Sequence, residues 1–240
     1  MSAQYSPFGR DFIFKDAVTF LKKKRTLTKE EYQALDESAR AKAFTVSGYT
    51  EAEVLQQFLD TLTDAVEEGK SFTQFKEEIN TFLTDKGYEA QNPWKLETIF
   101  RTNVQTAYNA GHYKSMTDPT TMKLRPYWQY VTAADGDVRD SHAAMHGRVY
   151  RADDPIWKIW YPPNGFRCRC RVVSRTKQWV ERNQVEVQTR MPYDVDFGTG
   201  EIRDLKPDKG FSNNPAMEVW KPKQEKMSDE VWDAFKERRK

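Results

Sequence analysis

The chain has 240 residues, enough for one large domain or two small ones. Only 38% of it is hydrophobic against 31% charged, and no apolar run approaches the roughly 20 residues a membrane span requires. With 38 Lys and Arg against 36 Asp and Glu the formal charge is +2, which excludes the general basicity of a nucleic-acid coat and confines any such contact to a local patch.

The first residues, Met1 to Gly9, carry neither a basic leader nor an apolar stretch, so we expect a chain made and kept in a reducing cytoplasm. From Phe12 to about Thr117 apolar residues recur at helical spacing. Phe12, Phe14, Val18, Phe20 and Leu21 mark a first helix ending in Lys22-Lys-Lys-Arg25, which reads as a solvated helix end or as a nucleic-acid patch. Thr28-Lys-Glu-Glu31 has the spacing of a capping box and opens a helix carrying Tyr32, Leu35 and Ala39. Thr50 to Glu53 repeats the signal before the stripe Val54, Leu55, Phe58, Leu59, Leu62 and Val66, which Gly69 stops. Ser71 to Gln74 opens another helix, with Phe75, Ile79 and Leu83 inward. After Asn92-Pro93 a fifth runs from Trp94 to Tyr113. Its amides Asn103 and Gln105 either bind a ligand or tie helices together.

The period changes after Asp118-Pro119. Pro126 to Thr132 alternates aromatic and β-branched residues and reads as a strand turned by Asp135-Gly136. Asp137 is placed to cap a short helix from Val138 to His146, on which His142 and His146 would stack four residues apart. Arg148 to Arg151 reads as a second strand, and Pro162-Pro-Asn-Gly-Phe-Arg-Cys168-Arg-Cys170 as a rigid loop feeding a third. Alternation puts Cys168 and Cys170 on one side and Arg169 and Arg171 on the other.

Two thiols and two imidazoles are the ligands of a tetrahedral Zn²⁺ site, so His142, His146, Cys168 and Cys170 are the candidate metal ligands. With all four engaged the site would be structural. Without His146 a water-occupied position would make hydrolysis conceivable, yet no nucleophile or general base accompanies it. The alternative is that the paired thiols simply fill a core. Arg167, Arg169, Arg171, Arg175 and Lys177 follow one another without an acidic residue and are the candidate DNA contacts, unless carboxylates such as Asp153 and Asp154 pair with them.

From Val180 onward Pro, Gly, Asn and charge dominate, an extended arm that ends in a short amphipathic helix, Asp229 to Arg238. The fold class expected is α+β: an α-helical lobe over 1–118, a small mixed module with few strands over 119–180, and the arm over 181–240.

The residues Asp137-Val-Arg-Asp-Ser-His142, Asp153-Asp-Pro-Ile-Trp157 and Tyr161-Pro-Pro-Asn-Gly-Phe-Arg-Cys-Arg-Cys170 resemble the phage head morphogenesis domain of the Mu F-type minor head proteins. The resemblance extends upstream to Ile99–Gly111 and downstream to Asp208–Pro215. It implies a non-enzymatic, low-copy minor capsid protein of a Mu-like phage or prophage, located in the virion. Its partners would be portal, capsid or scaffold proteins, and it would act in head assembly near the portal and in DNA packaging or delivery. We expect no membrane and no small-molecule substrate. Members often carry a His in the Pro-Pro loop, where this chain has Asn164 and Gly165. The readings from other classes are a metal-dependent DNA hydrolase and a DNA-binding accessory module.

Overall fold

The computed structural model describes residues 10–35, 37–195, 198–199 and 201–217, with positions 229 and 233. These residues form an α+β fold in two compact units. One takes the described residues up to His112 with those from Pro215 on, and the other is Tyr113–Asn214. The expected terminal helix at 229–238 lies outside the described residues apart from those two positions.

The first unit is helical. Its helices are α1 (Arg10–Lys22), α2 (Lys29–Ala34), α3 (Glu37–Arg40), α4 (Ala52–Glu68), α5 (Phe72–Asp85) and the greater part of α6 (Pro93–Met116). The capping boxes at Thr28 and Ser71 form as spelled: each hydroxyl accepts the third amide while Glu31 or Gln74 reaches back. The Thr50 box does not form. α4 begins one residue later, with Glu51 at the cap and no side-chain bond. The helix expected through Ala39 is two, because the chain turns extended at Leu35, whose buried side chain packs with Leu27, Ala39 and Ala43. A parallel bridge joins β1 (Arg25–Thr26) to β2 (Ala43–Phe44).

The main core of this unit is the inner stripe of α1, α4 and α5, including Leu21, Leu55, Phe58, Leu62, Phe75 and Ile79. The basic run at the end of α1 is occupied locally. Lys22 pairs with Glu67, and Lys24 donates from Nζ to the Ala41 and Ala43 carbonyls. On α6, Asn103 and Thr106 bond carbonyls of their own helix.

The second unit is built on the antiparallel sheet β4-β3-β5, with β3 (Tyr127–Val131) central between β4 (Val149–Arg151) and β5 (Arg171–Arg175). Alternation sends Trp128, Tyr130, Tyr150 and Val172 to a core shared with Trp157, Trp160 and Tyr161. Each such aromatic buries about 150–250 Å², an upper bound of roughly 4–6 kcal/mol. Much of the tryptophan content is therefore core, while Trp94 is exposed.

α7 (Pro119–Leu124) precedes the sheet, α8 (Asp140–Met145) lies between β3 and β4, and after β4 comes the 3₁₀ turn Pro155–Lys158, capped by Asp154. Asp137 does not cap α8. Its amide closes a turn on Asp135 Oδ1, and Arg139 stands at the cap. Part of the expected arm packs here as well. Val187 bridges Val149 in parallel beyond α9 (Lys177–Arg182), and β6 (Tyr193–Val195) pairs with β7 (Ile202–Asp204).

Candidate metal centre

His142 sits on α8 and is 2% exposed. Cys168 and Cys170 lie just ahead of β5 and are 4% and 3% exposed. His142 Nδ1 is 3.8 Å from Cys168 Sγ and 3.6 Å from Cys170 Sγ. Its Nε2 is 3.2 Å from the carbonyl oxygen of Asn164. A carbonyl only accepts, so Nε2 carries the hydrogen and Nδ1 turns its lone pair to the two sulfurs. A tetrahedral zinc about 2.3 Å from sulfur and about 2.05 Å from nitrogen would separate such atoms by about 3.6 Å. The donor set and its spacing therefore fit a metal. Among the described residues these three side chains are the group so arranged.

The two thiols differ sharply. Cys168 is held well below the usual thiol range, first by the hydrogen bond from Cys170, with the backbone amides of Asn164 and Cys170 adding to it against burial. Cys170 is pushed far up by the same hydrogen bond and by burial. The thiolate is the form that ligates a metal.

Asn164, fully buried, organises the site. Its backbone carbonyl receives His142 Nε2 and the Asp208 amide (3.0 Å), and its Oδ1 accepts from Tyr130 Oη–H (2.8 Å). Burial, and then the neighbouring cysteines, raise the Tyr130 phenol well above its usual range. Trp160 closes the wall, its ring edge-on to both His142 and Tyr130. Sequence reasoning registered Asn164 only as the place of an absent ligand and missed Tyr130.

His146 is not brought to the cluster. The helix stops at Met145, so no second turn exists to stack the two rings. Gly147 follows with φ +80°, and its amide donates to Tyr130 O. His146 is exposed, and its Nδ1 receives the Thr132 amide (3.1 Å) and hydroxyl (2.7 Å).

The expected alternation holds: Cys168 and Cys170 face the core while Arg169 and Arg171 are exposed. Among the candidate DNA contacts, Arg169 is taken by Asp135 through two bonds of 2.6 and 2.7 Å. Arg167 has a left-handed backbone (φ +58°) in the loop, Lys177 lies 3.7 Å from Glu181, and Arg175 donates to Gln129. Asp153 pairs with Arg151 rather than with the run.

Residues 56–173, from α4 into β5 and including all three cluster residues, match the family described as Phage Mu protein F like protein. The chain belongs to this family. Within it, the chain is 37% identical over 165 residues to the Mu-like prophage FluMu F protein of Haemophilus influenzae, covering 64% of this chain and 39% of the relative. It is 32% identical over 238 residues to the putative capsid assembly protein F of Escherichia phage Mu, covering 84% of this chain and 54% of the relative. An uncharacterized protein of Methanocaldococcus jannaschii is 30% identical over 121 residues, 49% of this chain and 17% of its own length. The chain thus spans about half, or less, of the curated relatives it matches. No solved structure matches, and no described helix is long and apolar enough to cross a membrane.

Proposed function

We propose that this chain is a minor capsid protein of a Mu-like phage or prophage. It acts in head assembly near the portal and resides in the virion. The observation that carries this reading is the similarity, across 84% of the chain, to a phage protein named for capsid assembly. Portal, capsid or scaffold subunits are its partners.

Within that role the His142, Cys168 and Cys170 group holds a structural Zn²⁺ that ties α8 to the loop entering β5. A metal bound there supplies a covalent cross-link between segments more than twenty residues apart. Burial of all three donors supports a structural over a hydrolytic role, since a catalytic zinc must admit water and substrate to its open position. No carboxylate joins the three donors among the described residues, so the hydrolase reading lacks a base at the centre.

The test is tagging the chain in an inducible phage and isolating heads on a density gradient. A few copies per head, and fewer infectious particles when its gene is deleted, are expected. Heads without the chain, formed in normal number and infectivity after deletion, would overturn the reading.

A further inference from the structure

The outer face of the β4-β3-β5 sheet has a composition that head assembly alone does not require. Register places Tyr127 on the central strand directly between Arg151 on one side and Arg175 on the other, with Arg125 two residues before it. Two rows further along, Val131 faces Arg171. Odd-numbered residues of these strands share this face, opposite the aromatic core. It therefore carries Arg125, Arg151, Arg171 and Arg175 around a half-buried tyrosine.

The charges on this face are unequal. Arg151 is neutralised by two 2.9 Å bonds to Asp153. Among the described residues Arg125 reaches the Ser174 carbonyl (3.3 Å), and Arg175 the amide oxygen of Gln129 while its guanidinium stacks 4.1 Å over Trp179. Arg171 is exposed, and none of Arg125, Arg171 or Arg175 pairs with a carboxylate among the described residues. Burial holds the Arg175 guanidinium below its ordinary value, and Arg125 and Arg171 add their repulsion. Arg125 and Arg171 thus both stand close enough to act on Arg175, a place that suits an anion.

We propose that this face binds the phosphodiester backbone of a nucleic acid, with Arg125, Arg171 and Arg175 as the phosphate contacts and Tyr127 and Trp179 as aromatic ground beside them. Arg171 and Arg175 are four residues apart on one strand, about 13 Å. A nucleic-acid strand carries one phosphate per about 3.4 Å of axis, so the pair spans several phosphates. Half-exposed aromatics beside cations favour a nucleic acid over an acidic protein segment, because bases have faces to stack and carboxylate side chains do not. The contact is independent of sequence, because it is made to phosphate. It replaces the wider run read from the sequence: Arg169 is neutralised by Asp135, while Arg125, far from that run, joins the surface through β3.

The test is fluorescence anisotropy of the full-length protein with labelled duplex and single-stranded 30-mers between 50 and 200 mM salt. The variants are Arg171→Gln and Arg125→Gln, with Arg169→Gln as a charge-matched control and Arg175→Lys to keep the charge over Trp179. Binding should fall steeply with salt, and Arg171→Gln and Arg125→Gln should each weaken it severalfold and lower the salt slope by about one. Arg169→Gln should bind nearly as the wild type does, whereas Arg175→Lys, which keeps the charge but loses the planar stack on Trp179, should weaken binding less than Arg171→Gln does. Equal losses in Arg169→Gln and Arg171→Gln would overturn the proposal, as would no binding at 50 mM salt. Polyglutamate that competes as well as DNA would also overturn it, assigning the face to an acidic protein.

Discussion

The Asp208 carboxylate occupies the space into which a β-carbon on Gly165 would project. The same carboxylate pairs with Arg139 (3.0 Å), and the Asp208 amide donates to the Asn164 carbonyl. Residues 208–211 thus strap the loop that carries Asn164, and Phe211 meets Phe166 edge-on. Gly165→Ala should destabilise the protein by about 1–3 kcal/mol, as overpacking does. Removing the obstruction with Asp208→Ala should make the alanine cheaper, so a double-mutant cycle by urea unfolding should give a clear favourable coupling. Additive losses would mean the two residues do not compete for that space.

Tyr130→Phe keeps the ring and its packing against Trp160 but removes the donor to Asn164 Oδ1. A buried acceptor left unsatisfied costs about 1–3 kcal/mol. The variant should lose that much in urea unfolding and bind metal more weakly, because Asn164 also orients His142. Unchanged stability together with unchanged metal affinity would remove Tyr130 from the centre's support.

Local signals were the most legible. Thr28 and Ser71 announce their helices because a capping box closes over four residues. The pairing of Cys168 with Cys170 needs only strand alternation. Spacing alone stacks His146 on His142, but periodicity does not reveal that α8 ends after six residues. Asn164 escaped because its decisive atom is a backbone carbonyl, present at every position and made special only by tertiary placement. Composition likewise hid that residues beyond Val180 pack on the sheet, where Val187 lies beside Val149.

Metal content separates the three-donor centre from the four-donor one. The purified protein should contain one Zn²⁺ per chain, lost in Cys168→Ser and in His142→Ala and retained in His146→Ala. Substituted Co²⁺ should show thiolate charge-transfer absorption. Chelation should lower stability by about 4 kcal/mol relative to free metal a thousandfold above Kd. Because ligation needs deprotonated sulfur, affinity should weaken as the solution is acidified. Equal zinc loss in His146→Ala and His142→Ala would restore the fourth ligand. A metal-free, folded wild type would reduce the cluster to packing.

Lys24 offers a pH test of the helical unit. Burial, with Lys42 adding repulsion, lowers its ammonium from 10.5 to about 7. The unfolded chain keeps its proton up to about 10.5, so between pH 7 and 10.5 the unfolded state binds more protons than the folded one. Stability from this group is therefore complete above 10.5 and is lost as pH falls toward 7, at no more than about 1.4 kcal/mol per pH unit. Lys24→Met retains the stem over Phe20 and removes the titration. Its advantage over the wild type in urea unfolding should be largest near pH 6 and shrink steadily toward pH 10. A difference independent of pH would show that the two carbonyl bonds from Nζ hold the ammonium charged throughout.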